Sequence, residues 1–381
     1  MRRLLSIGHS YVVGQNRRLA HEMAVAGAGR WDVTAAAPAA LHGDLRRIVL
    51  EPIAGEQCRV VPLKVRLDRH PHVMWYRGLR PLLRERWDLV HCWQEPYVAA
   101  GAQVASAVAD DAQFVFATFQ NMAKRYPPPF SWMERRVLAR ADGWIAFGHT
   151  VHATHAGRRA YAGRPSRIIP PGVDIERFAP DAATGTRTRA KLGWDDTLPV
   201  VGFLGRFVPE KGLDVLIAAL ERLRNPWRAL FVGAGPESAR LHAFAAAYPS
   251  AVRLVTDAAH DDVPAYLNAM TVLCAPSRTT NRWREQFGRM LIEGMATGVP
   301  VLASRSGEIP HVVEGAGVLL PEDDPGAWAN ALDALLQDDA ARATASVRGR
   351  ERARAHFAWP TVARAHLEFF DELLDRRGVG R

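Results

Sequence analysis

Short apolar runs alternate with amphipathic stretches along almost the whole chain. Residues 4–7 form an apolar run of strand type, and residues 16–27 carry Leu19, Met23 and Ala26 on one helical face. Residues 31–36, 88–92, 114–118, 143–147 and 167–169 read as further strands, with helices expected at 75–86, 96–109 and 132–141. Pro170, Pro171 and Gly172 then make a stiff turn, a natural domain exit. After a polar stretch at 181–188 the alternation restarts. Strands are expected at 200–204, 229–232, 252–254, 272–275 and 299–303. Helices are expected at 212–222, 238–247, 263–269 and 289–297, the last stopped by Gly298 and Pro300. The tail reads as helices at 325–336, 340–356 and 361–376. Such alternation predicts parallel sheets covered on both faces. The class is therefore α/β, with one domain over 1–172, a second over 173–359, and a last segment, 360–381, that must find a surface to pack on.

Composition narrows the classes. A length of 381 residues suits two cores. The three cysteines, Cys58, Cys92 and Cys274, form no CxxC, so neither a disulfide framework nor a zinc site is expected and a reducing cytoplasm is. Gly8, His9 and Ser10 break the N-terminal apolar run too early for a signal peptide, and no apolar run is long enough to span a membrane. The net charge of +9 is unevenly placed: residues 1–175 hold 24 Lys and Arg against 14 Asp and Glu, the rest 25 against 26. A basic first half favours an anionic surface such as a lipid headgroup or a phosphorylated acceptor, or is a solvated face without a partner. Nucleic acid is disfavoured, because no binding motif accompanies the charge.

Ligands of open α/β sheets bind beyond the carboxyl ends of the strands, so the strand-to-helix turns are the places to look. The first turn runs from His9 to Asn16, where Gly14 permits close backbone approach and a helix start offers N–H groups to an anion; a plain turn is the alternative. The turn after 200–204 runs from Gly205 to Gly212 and sets Arg206 and Lys211 five residues apart. Two cations there suit a diphosphate, and Lys211 is one of only four lysines in the chain. Gly233 and Gly235 make another turn, without the third glycine of a dinucleotide fingerprint. The stretch 277–304 places Glu285 ahead of a helix and Glu293 within it. Gly288 precedes that helix, so Arg289, Met290 and Leu291 can present N–H groups to phosphate or sugar oxygens. Two carboxylates beside a diphosphate are tolerable only with compensating cations, which Arg206 and Lys211 supply.

These motifs together resemble the nucleotide-sugar glycosyltransferases of family 4 (group 1). The resemblance rests on VGFLGRFVPEKGLDVLIAAL, on the two glutamates within EQFGRMLIEGMATGVPVLAS, on the following SGEIP, and on IIPPGVDIERFAP as an interdomain segment. It implies a GT-B fold: two Rossmann-like domains facing a cleft, with the last helix crossing back to the first. It implies retaining, metal-independent transfer of a hexose from a nucleoside diphosphate sugar, which is a substrate and not a cofactor, to a hydroxyl acceptor. UDP-hexose is favoured over GDP- or ADP-hexose. By the resemblance Arg206 and Lys211 hold the diphosphate. Glu285 and the backbone of Phe287, Gly288, Arg289 and Met290, with Leu291, bind the sugar, and Glu293 binds ribose. Gly205 and Gly233 line the donor, Asp257 and Ala258 lie by the base, and Gly14 faces the phosphates. His9, Glu95, Asn121 and Lys124 are acceptor-side candidates. One departure stands out: where relatives often carry a histidine, ATFQ ends in Gln120, which can offer a hydrogen bond but no acid–base chemistry. The acceptor stays open between a lipid-linked or other cell-envelope, exopolysaccharide or glycoconjugate acceptor and a small natural product. A catalytically silent nucleotide-sugar-binding partner on the same fold is the alternative of another class. Residues 66–86 interleave cations with aromatics and read either as a solvated helix or as a face resting on the inner side of the plasma membrane. Nothing in the sequence speaks to the oligomeric state.

Overall fold

The computed structural model describes residues 1–43 and 47–379. Residues 380 and 381 of the expected last segment lie outside the described residues. The chain divides into a first unit, Met1–Gly172 joined by the C-terminal helix, and a second unit, Val173–Ala358.

The first unit is built on an eight-stranded sheet. Its order runs Ser166–Ile168, Gly143–Ala146, Gln113–Thr118, Leu89–Cys92, Arg2–Ile7, Trp31–Pro38, Arg59–Arg66, Trp75–Arg77. All pairs are parallel except the outermost, where Trp75–Arg77 runs antiparallel to Arg59–Arg66. The inner strands Leu89–Cys92, Gln113–Thr118 and Gly143–Ala146 are buried on both faces, which explains why they read as continuous apolar runs.

The helix expected at 75–86 does not form as such. Residues 75–77 are an edge strand, Gly78 turns in the left-handed region (φ 77°), and only Leu79–Leu83 is helical. The local pattern is strand-like, with Tyr76 buried between exposed Trp75 and Arg77. The Gln103 side chain completes the edge, its Oε1 accepting from Tyr76 N at 2.9 Å and its Nε2 donating to Tyr76 O at 2.7 Å. The strand Arg59–Arg66 has no counterpart in the sequence reading; Pro62 and three charged residues dilute its pattern.

The last helix, Trp359–Val379, starts one residue ahead of the expected segment and belongs to the first unit. Val362, Leu367, Phe369, Phe370 and Leu373 complete a core with Leu4, Trp31, Val33 and Trp93. Gly172 is required where the Trp359 ring seats: a Cβ there would lie 2.3 Å from the ring. Arg30 to Asp371 (3.1 Å) and Arg2 to Asp375 (2.9 Å) tie the outer side.

The second unit holds a six-stranded, all-parallel sheet in the order Val252–Val255, Arg228–Val232, Val200–Leu204, Val272–Ala275, Val301–Ser304, Val318–Leu320. The polar stretch at 181–188 is helical, Ala182–Lys191, and begins where Asp181 accepts from Thr184 N at 2.9 Å. The helix Arg289–Thr297 forms as expected, bracketed by Gly288 and Gly298, both at φ 79°. The expected helix at 340–356 is Asp339–Arg352 followed by a π-turn, Ala353–Phe357.

Candidate active site

Strand order reverses in the second sheet between Val200–Leu204 and Val272–Ala275. At such a point the two outgoing loops diverge and leave a crevice. The loop 205–212 leaves one strand and residues 276–288 leave the other. Three glycines let the neighbouring backbones close up. A Cβ on Gly212 would lie 1.9 Å from Pro276 O, one on Gly233 1.9 Å from Gly205 O, and one on Gly235 2.4 Å from Phe207 O. Gly205 N to Val232 O and Phe207 N to Ala234 O, both 2.9 Å, stitch the Gly233–Gly235 turn onto the Arg206 loop. The glycine pair is therefore spent on supporting Arg206.

Lys211 does not stand alone in this crevice. Its Nζ forms an ion pair with Glu285 Oε2, and both side chains are nearly buried. Ser277 Oγ donates to the same Oε2 at 2.8 Å. The ring of Trp283 lies 5.3 Å from the ammonium. Glu285 is held from behind: Glu308 N donates to Glu285 O at 3.0 Å, and Gly307, at φ 53°, leaves no room for a Cβ, which would lie 2.0 Å from that oxygen. Arg206, by contrast, is exposed, and its side chain has no partner among the described residues. A buried pair and a free guanidinium thus flank the end of the central strand.

The helix Arg289–Thr297 begins beside this cluster. Leu291 N donates to Gly288 O at 2.8 Å, so the expectation that Leu291 offers its N–H to a ligand is corrected: the capping turn uses it. Phe287 packs edge-on to Phe357, and Met290 is buried. Glu293 is buried one turn into the helix, and desolvation weakens the charged form of Arg289, an effect Glu293 offsets. Asp257 is exposed and Ala258 packs on the core beside it.

The first sheet has its own reversal, between Arg2–Ile7 and Leu89–Cys92, and the sequence candidates gather at its strand ends. Desolvation pushes the His9 imidazole down to about 4, partly offset by Gln94, so it is neutral at pH 7. Glu95 is buried, accepts from Thr118 Oγ1 at 2.7 Å and Phe119 N at 2.8 Å, and is pushed by burial up to about 7. It clamps the turn that carries Gln120. Gln120 is itself engaged: its Oε1 accepts from Met122 N at 3.1 Å and its Nε2 approaches Tyr126 Oη at 3.4 Å. Asn121 is buried, its carbonyl accepting from Thr154 Oγ1 at 2.9 Å. Lys124 is exposed and lines a cavity of about 680 Å³ with Arg125, Tyr126, Glu134, Arg135 and Arg158. Gly14 departs from expectation. Its N–H donates to Glu51 Oε2 at 2.8 Å, so this helix start is already occupied by a carboxylate of the chain itself. Arg17, 1% exposed, holds the Glu51 loop by donating to Glu56 Oε1 at 2.7 Å and to Tyr11 O at 2.6 Å.

Sequence reasoning missed Ser277, Trp283, Glu51 and Arg17. Ser277 and Trp283 lie inside the stretch it singled out, and their contact with Lys211 and Glu285 is tertiary. Arg17 sits beside Arg18 and only burial distinguishes them.

Two Rossmann-like units, each with its own strand-order reversal, are the architecture of a GT-B glycosyltransferase. Residues 15–177 match the family model described as Glycosyltransferase Family 4, and residues 185–352 match Glycosyl transferases group 1. The chain belongs to this glycosyltransferase family. It is 33% identical over 304 residues to D-inositol 3-phosphate glycosyltransferase of Corynebacterium jeikeium (strain K411), covering 75% of this chain and 69% of the relative. It is 32% identical over 363 residues to the protein of that name in Xylanimonas cellulosilytica, covering 85% and 79%. With the Salinispora arenicola protein of that name the match, 32% identical, takes in 64% of this chain and 58% of the relative. The fold is shared with sucrose-phosphate synthase from Thermosynechococcus elongatus, at a TM-score of 0.72, 24% identity and coverage of 99% and 100%. It is likewise shared with Anabaena HepE in complex with UDP-glucose, at a TM-score of 0.72, 19% identity and coverage of 98% and 100%.

Proposed function

We propose that the protein is a retaining glycosyltransferase that moves a hexose from a nucleoside diphosphate sugar, UDP-hexose before GDP- or ADP-hexose, to a hydroxyl group. The observation that carries this is the buried Lys211–Glu285 pair, braced by Ser277 and set at the strand-order reversal near an unpartnered Arg206. The HepE structures with UDP and UDP-glucose support a uridine donor.

In this reading Glu285 accepts hydrogen bonds from the hexose hydroxyls and Glu293 from the ribose. Lys211, with three donors, keeps its carboxylate and turns a further N–H to the diphosphate, while Arg206 forks onto its oxygens. The bond from the anomeric carbon to the phosphate oxygen breaks as the cations take up the developing negative charge. The acceptor oxygen bonds to the same face of that carbon, and its proton passes to the departing phosphate. That route needs neither the histidine that Gln120 replaces nor a metal ion or cofactor. The acceptor class follows the relatives' name: a polyol phosphate suits the cavity of Lys124, Arg125 and Arg135, whose one carboxylate, Glu134, is already engaged by Arg158 at 2.7 and 2.9 Å.

Release of UDP from UDP-glucose, measured with and without D-inositol 3-phosphate, is the test. Turnover is expected in the wild type, with a loss of at least about a hundredfold in Lys211→Ala. Donor binding without any cleavage would favour the silent partner, and wild-type turnover of Lys211→Ala would overturn the site.

A further inference from the structure

The outer edge of the first sheet carries a surface that the transfer reaction does not use. Strands Arg59–Arg66 and Trp75–Arg77 form an antiparallel ribbon whose register sets Lys64 opposite Arg77 and Arg66 opposite Trp75. Val65 and Tyr76 turn inward, so Lys64, Arg66, Trp75 and Arg77 share the exposed face. Like charges directly opposite one another on a ribbon repel. Among the described residues no acid relieves them. Asp68 bonds to His42 at 2.8 Å, and Glu85 is taken by Arg3 at 3.0 Å and Arg59 at 3.4 Å. Arg66, Arg77 and Arg80 instead line a cavity of about 440 Å³ with Trp75 and Gln103, and no carboxylate enters it.

Trp75, 46% exposed, stands on this face, and Leu67, 61% exposed, follows directly after Arg66 at the end of its strand. Charges on an edge strand can serve simply to prevent strand addition. That purpose needs no exposed tryptophan, and it gives no reason to gather three arginines around a cavity. Basic side chains interleaved with exposed Trp and Leu are the composition of a surface that lies at a lipid headgroup boundary, the rings at the acyl edge and the guanidinium groups on phosphate.

We propose that this ribbon docks the protein on an anionic lipid surface. The inference stands on the ribbon alone, so its failure leaves the transferase reading intact. It is tested by co-sedimentation of the full chain with vesicles of phosphatidylcholine alone or mixed with phosphatidylglycerol, at low and physiological salt. Binding is expected only to the mixed vesicles and weaker at the higher salt. Arg66→Glu with Arg77→Glu is expected to weaken it more than about tenfold, because each basic residue near such a surface counts for about one kcal/mol. Trp75→Ala is expected to weaken it several-fold at unchanged charge. All three positions are exposed, and an unchanged thermal midpoint would show the variants folded. No binding to mixed vesicles at low salt, or equal binding by the charge-reversed variant, would overturn the proposal. So would stabilisation by inorganic phosphate that the charge reversal abolishes, if it came without vesicle binding, since it would assign the cavity to a free anion.

Discussion

Lys211 and Glu285 show how far a single residue can be read. The rarity of lysine and the loop position of Lys211 marked it, and the neutralisation argument paired it in principle with a carboxylate. The contact itself is tertiary, because 74 residues separate the partners. Removing one member strands the other in a nearly buried site, at a cost on the order of 3 kcal/mol. Lys211→Ala should therefore be less stable as well as inactive, whereas Lys211→Met with Glu285→Gln should recover part of that stability; urea unfolding compares them. Glu95 makes a sharper prediction. Its carboxyl is raised to about 7 in the fold against about 4.5 when unfolded, so between those values the folded state binds more protons. Its contribution to stability thus falls as pH rises from about 4.5 to about 7. Glu95→Gln should remove that slope, on the order of 3 kcal/mol across the window, as read by urea unfolding at pH 5 and pH 7.5. An unchanged slope would mean that Glu95 ionises freely.

At the scale of elements, the helix Arg289–Thr297 was legible to its ends because left-handed glycines punctuate it locally. Residues 75–86 were misread because their cations and aromatics fit a helix pattern about as well as an alternating one. Pairing with Arg59–Arg66, which no local signal announces, decided for the strand. The Gly233–Gly235 turn was recognised as glycine-rich, but its purpose is the close approach of another loop. Gly233→Ala should force that loop away, since its Cβ would lie 1.9 Å from Gly205 O. A loss of at least about 2 kcal/mol in stability is expected, with weakened donor binding by calorimetry, because Arg206 rides on the displaced loop. Wild-type stability and affinity would show that the loop accommodates the methyl.

Across the whole molecule, acid sensitivity follows from burial. His155 and His366 are pushed down to about 4 and His91 well below its ordinary range, in each case chiefly by desolvation. Such groups take up protons on unfolding near pH 6.5 and in the fold only well below that, near pH 4 for His155 and His366. The stability they contribute is complete above about 6.5 and is lost as pH falls towards 4. Three of them outweigh the opposite slope of Glu95, so stability should decline by several kcal/mol between pH 6.5 and pH 4, as followed by thermal midpoints. His91→Phe and His366→Leu should each flatten the decline if packing is kept.

The sequence by itself determined the α/β class, the two tandem sheets, the segment 277–304 and the cations set against its carboxylates. Those features are written in local periodicity and in turn residues whose backbone freedom is intrinsic. Tertiary structure alone decided that Lys211 is held by Glu285 and Ser277, that the Gly14 N–H is closed by Glu51, that Gln120 is engaged in its own loop, and that Trp75 lies on a sheet edge. Except for Gln120, whose partners Met122 and Tyr126 lie within its own loop, each of these depends on which distant segment comes within a few ångströms, and such distances are set by tertiary packing and not by any local window of the chain.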